Sequence, residues 1–548
     1  MLRPSILLKR SLIFIHRWLG VALSVIFMLW FASGIVMMYW SFPEVSARDR
    51  RERAPMLNPS QIKLSPEEAY ARLGLDQPAG GAQVTSFDSR PVYRFGGPGG
   101  GRGGRRGGGG GSSTVYADDG AIQTEVDDAM VDRVASAWAG KPVSEAQRVA
   151  VEEVDQWTVG GQLRTLRPLY KYTFKDGQQI YIGGRDAEVK QYTTTESRFW
   201  AYLGAVPHWL YFTPLRKHQP EWSQFVIWSS GIGTGAALLG VVVAIWMLSP
   251  KKRYRHAGAP TSIPYRGWKR WHTIIGLVFG AVTATWAFSG MLSMGSFSWV
   301  EWLAGTSRGD NAKAKVDAKE RGGRRGGGGV DIANVLRGEG RFQLSAYAAK
   351  SPSAALKSLG NFQAKELEFS MFAGEPQYIA TDSAGHTRII PLNGEPKEEF
   401  DRDRIISMVH EAAGSNLAEL RLMDQYDAYY LDRLREKPLP VIYARMNDEN
   451  QTRTYIDPKT GRTVGTYSTR NWVSRWLYHG LHSLDFPWLY NHRPLWDIVV
   501  ISLMLGGTAL CVTSLLLTWR VLKRKFIAMI GATARRPSIN EDLAVETK

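Results

Sequence analysis

His16-Arg-Trp-Leu-Gly20-Val-Ala-Leu-Ser-Val-Ile-Phe-Met-Leu-Trp30-Phe-Ala-Ser33-Gly34-Ile-Val-Met-Met38 is the stretch whose reading settles the architecture. Beyond Arg17 it carries no charge, and it is long enough for a helix that crosses a bilayer core, which takes roughly 20 apolar residues. It also recurs. His272, Gly276, Trp286, Ser289, Gly290 and Met294 repeat His16, Gly20, Trp30, Ser33, Gly34 and Met38 at a single offset of 256. Two further uncharged runs, 225–248 and 498–519, join 21–40 and 277–300 to make four spans.

Working outward, the spans occupy 11–40, 224–249, 271–296 and 495–519, with a short basic loop at 250–270 and a tail at 520–548. Two long segments remain, 41–223 and 297–494. Both hold strand-and-turn text: Tyr170 to Ile182 alternates and turns at Asp176-Gly177, and Arg453 to Val464 turns through Asp457, Pro458 and Gly461. Helical stretches precede them near 125–139 and 401–413. The expected fold is therefore membrane α+β: four transmembrane helices from an internal duplication, with one α+β domain after the first and one after the third. Parallel halves of this kind place a pseudo-two-fold axis along the membrane normal.

Composition supports this reading. The 548 residues are 44% apolar and 22% charged, and a mean hydropathy of -0.23 excludes a chain that is mostly membrane. The net charge of +17 gathers next to the spans rather than on a nucleic-acid-binding face: Arg3, Lys9, Arg10 and Arg17; Lys251 to Arg270; Arg520 to Arg536. The positive-inside tendency puts these, and both termini, in the cytoplasm, and the long segments on the other side of the membrane. The Arg/Gly tracts at 96–111 and 321–329 read as solvated linkers. A single cysteine, Cys511, excludes an intrachain disulfide, a CxxC pair and a thiolate metal cluster. Redox chemistry in this chain needs another carrier.

The histidines supply candidates. At 100° per residue, His16, Gly20, Trp30, Gly34 and Met38 share one helix stripe within about 40°, and His272 heads its twin. A histidine in apolar text is costly and points to function, and a glycine one turn away lets a flat macrocycle approach the backbone. The competing reading is a small-residue packing seam. A second repeat, H-x3-F-x5-H-x-P-x-W, precedes the second and fourth spans: His208, Phe212, His218, Pro220 and Trp222 recur as His482, Phe486, His492, Pro494 and Trp496 at an offset of 274. Either His208 with His482 or His218 with His492 forms an outer pair, with His479 as an unrepeated third candidate; the competing reading places these residues in an aromatic belt. No carboxylate repeats with them, which argues against zinc or non-haem iron. Asp155-Gln-Trp157 and Asp427-Ala-Tyr429 repeat at 272, as substrate contacts or as packing.

These features together resemble the PepSY-associated transmembrane helix family of bacterial inner-membrane proteins. The carriers are His16-Arg-Trp-Leu-Gly20, Arg270-Trp-His-Thr-Ile-Ile-Gly276, Tyr455-Ile-Asp-Pro-Lys-Thr-Gly461 and His479-Gly-Leu-His482. The resemblance implies two periplasmic PepSY-like domains and, in its siderophore-iron reductase branch, a haem-containing ferric-siderophore reductase. Two haem b groups are then expected: His16 and His272 hold the inner one, and the outer one falls to a pair from His208, His482, His218 and His492. The substrate is a ferric siderophore or other ferric chelate, reduced so that Fe(II) is released. The chain ends 29 residues after Trp519, with no flavin or NAD domain, so quinol or a separate reductase is the expected donor. Membrane lipid is a partner and nucleic acid is not. Two other classes use the same fold: an iron-chelate transporter or permease subunit without haem, and a PepSY-type regulatory or binding membrane protein.

Overall fold

A computed structural model describes residues 4–96, 113–123, 125–295, 330–432 and 435–533. The Arg/Gly tracts, Gly96 apart, and the end of the third apolar run lie outside the described residues. The chain divides into two compact units: residues 1–41, 200–297 and 476–548 form one, and residues 42–199 and 298–475 the other.

Among the described residues, the first unit contains four helices long and apolar enough to cross a membrane, Pro4–Met37, Gln219–Met247, Gly267–Leu292 and Leu495–Thr533. The chain is a membrane α+β protein. Pro220 lies in the first turn of the second helix, where its missing N–H costs nothing. The first and third helices each pack against the second and fourth, so the first and third face each other across the middle of the bundle. Small residues let the helices close up. A Cβ on Gly233 would stand 2.6 Å from the Phe27 ring, and one on Gly280 would stand 2.6 Å from Val241. On the fourth helix the Gly506-Gly507 doublet receives the Phe279 ring at one glycine and the Phe31 ring at the other.

The second unit is built on antiparallel sheets. Two have four strands each in sequence order: Ala146–Val151, Leu169–Phe174, Gln179–Gly183 and Val189–Thr193; and Leu417–Met423, Val441–Met446, Arg453–Asp457 and Arg462–Tyr467. Gly177 (φ 90°) and Gly461 (φ 63°) sit at the two expected hairpin turns, in backbone that a side chain would strain. Helices Asp128–Ala139 and Arg402–Ala413 cover these sheets through Val131 and Ala135, and through Ile405 and Val409.

The third sheet has six strands and draws on both long segments. Its order is Thr387–Pro391, Glu375–Thr381, Glu366–Phe372, Gly81–Phe87, Arg90–Gly96 and Ser113–Tyr116. The two three-stranded halves join where Gln83 pairs with Glu368 and Val84 with Leu367. Joining covers an edge that each half would otherwise leave bare. One core runs beneath, with Val84, Tyr93 and Val115 from one segment beside Tyr347, Leu367 and Tyr378 from the other.

Candidate functional site: two histidine pairs in the helix bundle

The bundle brings four histidines together as two pairs. His16 on the first spanning helix and His272 on the third have ring centroids 6.2 Å apart. His208 and His482 have centroids 6.1 Å apart. The second pair stands on short turns of helix, Ala205–His208 and Leu481–Ser483, which pack on the first and third spanning helices respectively. His208 meets the first helix at Trp30, 14 positions beyond His16, so the two levels are about 21 Å apart at 1.5 Å per residue. Phe27 lies between these levels, and Phe31 and Trp286 stand at the outer one: Phe27 and Phe31 centroids are 6.4 Å apart, Phe31 and Trp286 centroids 5.7 Å.

Backbone carbonyls fix the tautomer of His16 and His208, and the hydroxyls beside His272 and His482 are placed to support the same one. His16 Nδ1 is 3.0 Å from Ala236 O, a carbonyl that can only accept. His208 Nδ1 is 3.1 Å from Trp30 O and 3.2 Å from Ser33 Oγ, and the Ser33 proton is directed to Leu29 O and Trp30 O. His482 Nδ1 is 3.0 Å from Ser289 Oγ, whose proton goes to Trp286 O at 3.1 Å. His272 Nδ1 is 3.0 Å from Thr513 Oγ1, whose proton goes to Leu510 O at 2.8 Å. Each Nδ1 therefore donates, and each Nε2 is left with its lone pair. Burial pushes His208 down to about 4 and His482 down to about 3, so both rings are neutral near pH 7.

Neutral imidazole with Nδ1–H held by an oxygen is the arrangement a metal ligand adopts. The spacing agrees. With a metal–nitrogen bond of about 2 Å and about 1 Å from ring centre to nitrogen, rings on opposite sides of one ion have centres about 6 Å apart. Among the described residues no three His, Cys, Asp or Glu side chains converge on a possible ion, so the donor sets are pairs. Two nitrogens suit an ion that brings its own equatorial ligands, as haem iron does. The glycine stripes fit as well. A Cβ on Gly34 would meet the Met504 side chain at 3.0 Å and His208 Cε1 at 3.5 Å, and one on Gly290 would lie 3.5 Å from His482 Cε1, so the outer rings lie within van der Waals reach of these glycines. Gly20 and Gly276, one turn from His16 and His272, have their nearest foreign atoms at 3.7 Å.

His218 and His492 stand apart from the pairs, whereas His479 lies beside His482 with the Tyr478 ring touching both. His218 occupies the position just before the second spanning helix, with no capping bond from its side chain, and is exposed; His492 is exposed and its Nδ1 donates to Trp488 O at 2.6 Å. Among the described residues no ring contact joins His218 to His492. His479, on the π-helical turn Val473–Gly480, is half exposed, packs on Tyr478 and lies 4.0 Å from Asp485. Asp155 and Asp427 accept from Tyr181 and Tyr455 at 2.6 and 2.7 Å, and each caps the backbone two residues on. Sequence reasoning left the partners of Nδ1 unassigned. Ser33 and Ser289 stood in the repeat and were the available signal; Thr513 and the Ala236 carbonyl left none.

No curated protein matches the chain. Residues 13–374, which include His16, His208 and His272, match the model of the PepSY-associated TM region, and the chain belongs to that family.

Proposed function

We propose that this protein is a haem-containing reductase of the bacterial inner membrane that delivers electrons to ferric iron in a siderophore or other chelate. The observation that carries the reading is the pair of imidazole pairs, about 6 Å across, each ring with Nδ1 bonded and Nε2 left for a metal. A haem b held at each level would supply one-electron chemistry there. His16 with His272, and His208 with His482, bind and orient; Ala236 O, Thr513, Ser33 and Ser289 hold the rings against rotation; the apolar bundle keeps water out. One electron converts Fe(III) to Fe(II), which hard oxygen ligands hold far less tightly. The electron comes from quinol or a separate reductase.

The repeats at 256 and 274 are read as one duplication, and the basic residues flanking the spans favour cytoplasmic termini with periplasmic PepSY-like sheets. The test is an absorption spectrum of the detergent-purified protein, oxidised and then reduced with dithionite, with haem per chain quantified. Sharp reduced bands of a six-coordinate b-type haem, together with Fe(II) trapped from a ferric chelate, are expected. A colourless protein from haem-replete cells refutes the reading and leaves chelate transport or regulation.

A further inference from the structure

The repeated tryptophan of the H-x3-F-x5-H-x-P-x-W pattern has a geometry that the haem reading does not use. Trp222 Nε1 donates to Trp209 O at 3.0 Å, and Trp496 Nε1 donates to Ser483 O at 3.1 Å. Both bonds span 13 residues, and both accepting carbonyls belong to the residue directly after a paired histidine, His208 in one case and His482 in the other. Both tryptophans are buried, 8% and 2% exposed. Each sits in the first turn of a spanning helix, with its backbone N–H bonded to His218 O or His492 O.

The peptide that each indole holds leads into a strained residue. Leu210 has φ 51° and Leu484 has φ 52°, and neither is glycine. A side chain in this left-handed region crowds the following carbonyl, so a leucine stays there only where the surroundings impose it. The turn is what reverses the chain between the histidine-bearing helix and the spanning helix that follows. Packing alone could be met by phenylalanine. A hydrogen bond to that particular carbonyl cannot.

We propose that Trp222 and Trp496 are positioning residues: their indole N–H groups lock the left-handed turns behind His208 and His482 and so fix where the two imidazoles face each other. The part about imidazole placement rests on the haem reading; the lock itself does not. Two readouts separate them. In the full-length protein in detergent, Trp496→Phe keeps the ring and removes the N–H, and hydrogen exchange of peptides covering residues 481–487 is expected to quicken roughly tenfold, the scale of one lost buried hydrogen bond. Trp222→Phe is expected to do the same for residues 207–213. In haem-loaded protein each variant shifts the low-spin ferric signal and midpoint potential of the His208–His482 site and leaves the His16–His272 site unchanged. Adding Leu484→Asn to Trp496→Phe restores slow exchange, because asparagine tolerates the left-handed conformation; a merely space-filling tryptophan would show no such rescue. Unchanged exchange in both phenylalanine variants overturns the proposal. Quickened exchange in a protein that binds no haem keeps the lock and refutes the haem reading instead.

Discussion

The rings of His208 and His482 stand 6.1 Å apart with their planes at 67°, and each turns its Nδ1 to a serine of the spanning helix beside it, Ser33 for one and Ser289 for the other. The same relation holds on both sides, so the two Nε2 atoms are the groups left to meet anything placed between the helices.

On the proposed haem reading, replacing either member of a pair removes one of the two imidazoles that would hold the iron. His16→Ala or His272→Ala is expected to lose the haem at that level, and His208→Ala or His482→Ala the other, while the protein still inserts because the apolar spans are untouched. Haem per chain, measured as the pyridine haemochrome, falls to about half in each variant. Unchanged haem content in both members of a pair ends that assignment.

The serines act on the rings, through Nδ1. Ser289→Ala leaves His482 Nδ1 without its 3.0 Å acceptor, and loss of such a supporting contact typically weakens a metal site 10–100-fold. Haem retention during dilution in detergent should fall by about that factor for one site only. Thr513→Ala does the same for His272, and Thr513→Ser, which keeps the hydroxyl, does not.

Gly240 on the second spanning helix tests the geometry from the other side. A Cβ there would lie 2.5 Å from His16 Cε1 and 3.1 Å from its Nδ1, so Gly240→Ala has to push the ring. Selective loss of the His16–His272 haem signal is expected, read as a change in the ferric low-spin spectrum of that site. A variant with both signals intact would show that His16 is free to move.

The Gly506-Gly507 doublet carries the packing. A Cβ at Gly507 overlaps the Phe31 ring, and overpacking of this kind costs about 1–3 kcal/mol. Gly507→Ala should lower the thermal midpoint in detergent. Gly507→Ala with Phe31→Leu should recover most of it, since the smaller side chain frees the space.

In the sheet unit, Asp176 caps the hairpin turn before Gln179. The Lys141 ammonium, 2.7 Å away, and Gln178 hold its carboxyl down at about 2. A carboxyl depressed on folding contributes stability that is complete above its ordinary value of 3.8 and disappears as pH falls through about 2. Asp176→Asn should therefore flatten the acid limb of stability between pH 4 and 2 and change little at pH 7. The effect is small, because the pair is solvent-exposed.

By itself the sequence determined the membrane class, the four spans, the positions of the two hairpin turns and the candidate histidines. These are local or periodic properties: an uncharged run long enough for a bilayer, a glycine where φ turns positive, and a spacing that returns the same side chain to one helix face. The partner of each histidine was not local. His208 and His218 were equal candidates in the text, and only the fold turned Ala205–His208 onto the first spanning helix while leaving His218 exposed at a helix start. Likewise the joining of Gly81–Phe87 to Glu366–Phe372 pairs Gln83 with Glu368, 285 positions further along the chain. Both outcomes depend on which faces the packed helices and strands leave to be covered, a property of the assembled chain that no window of sequence contains.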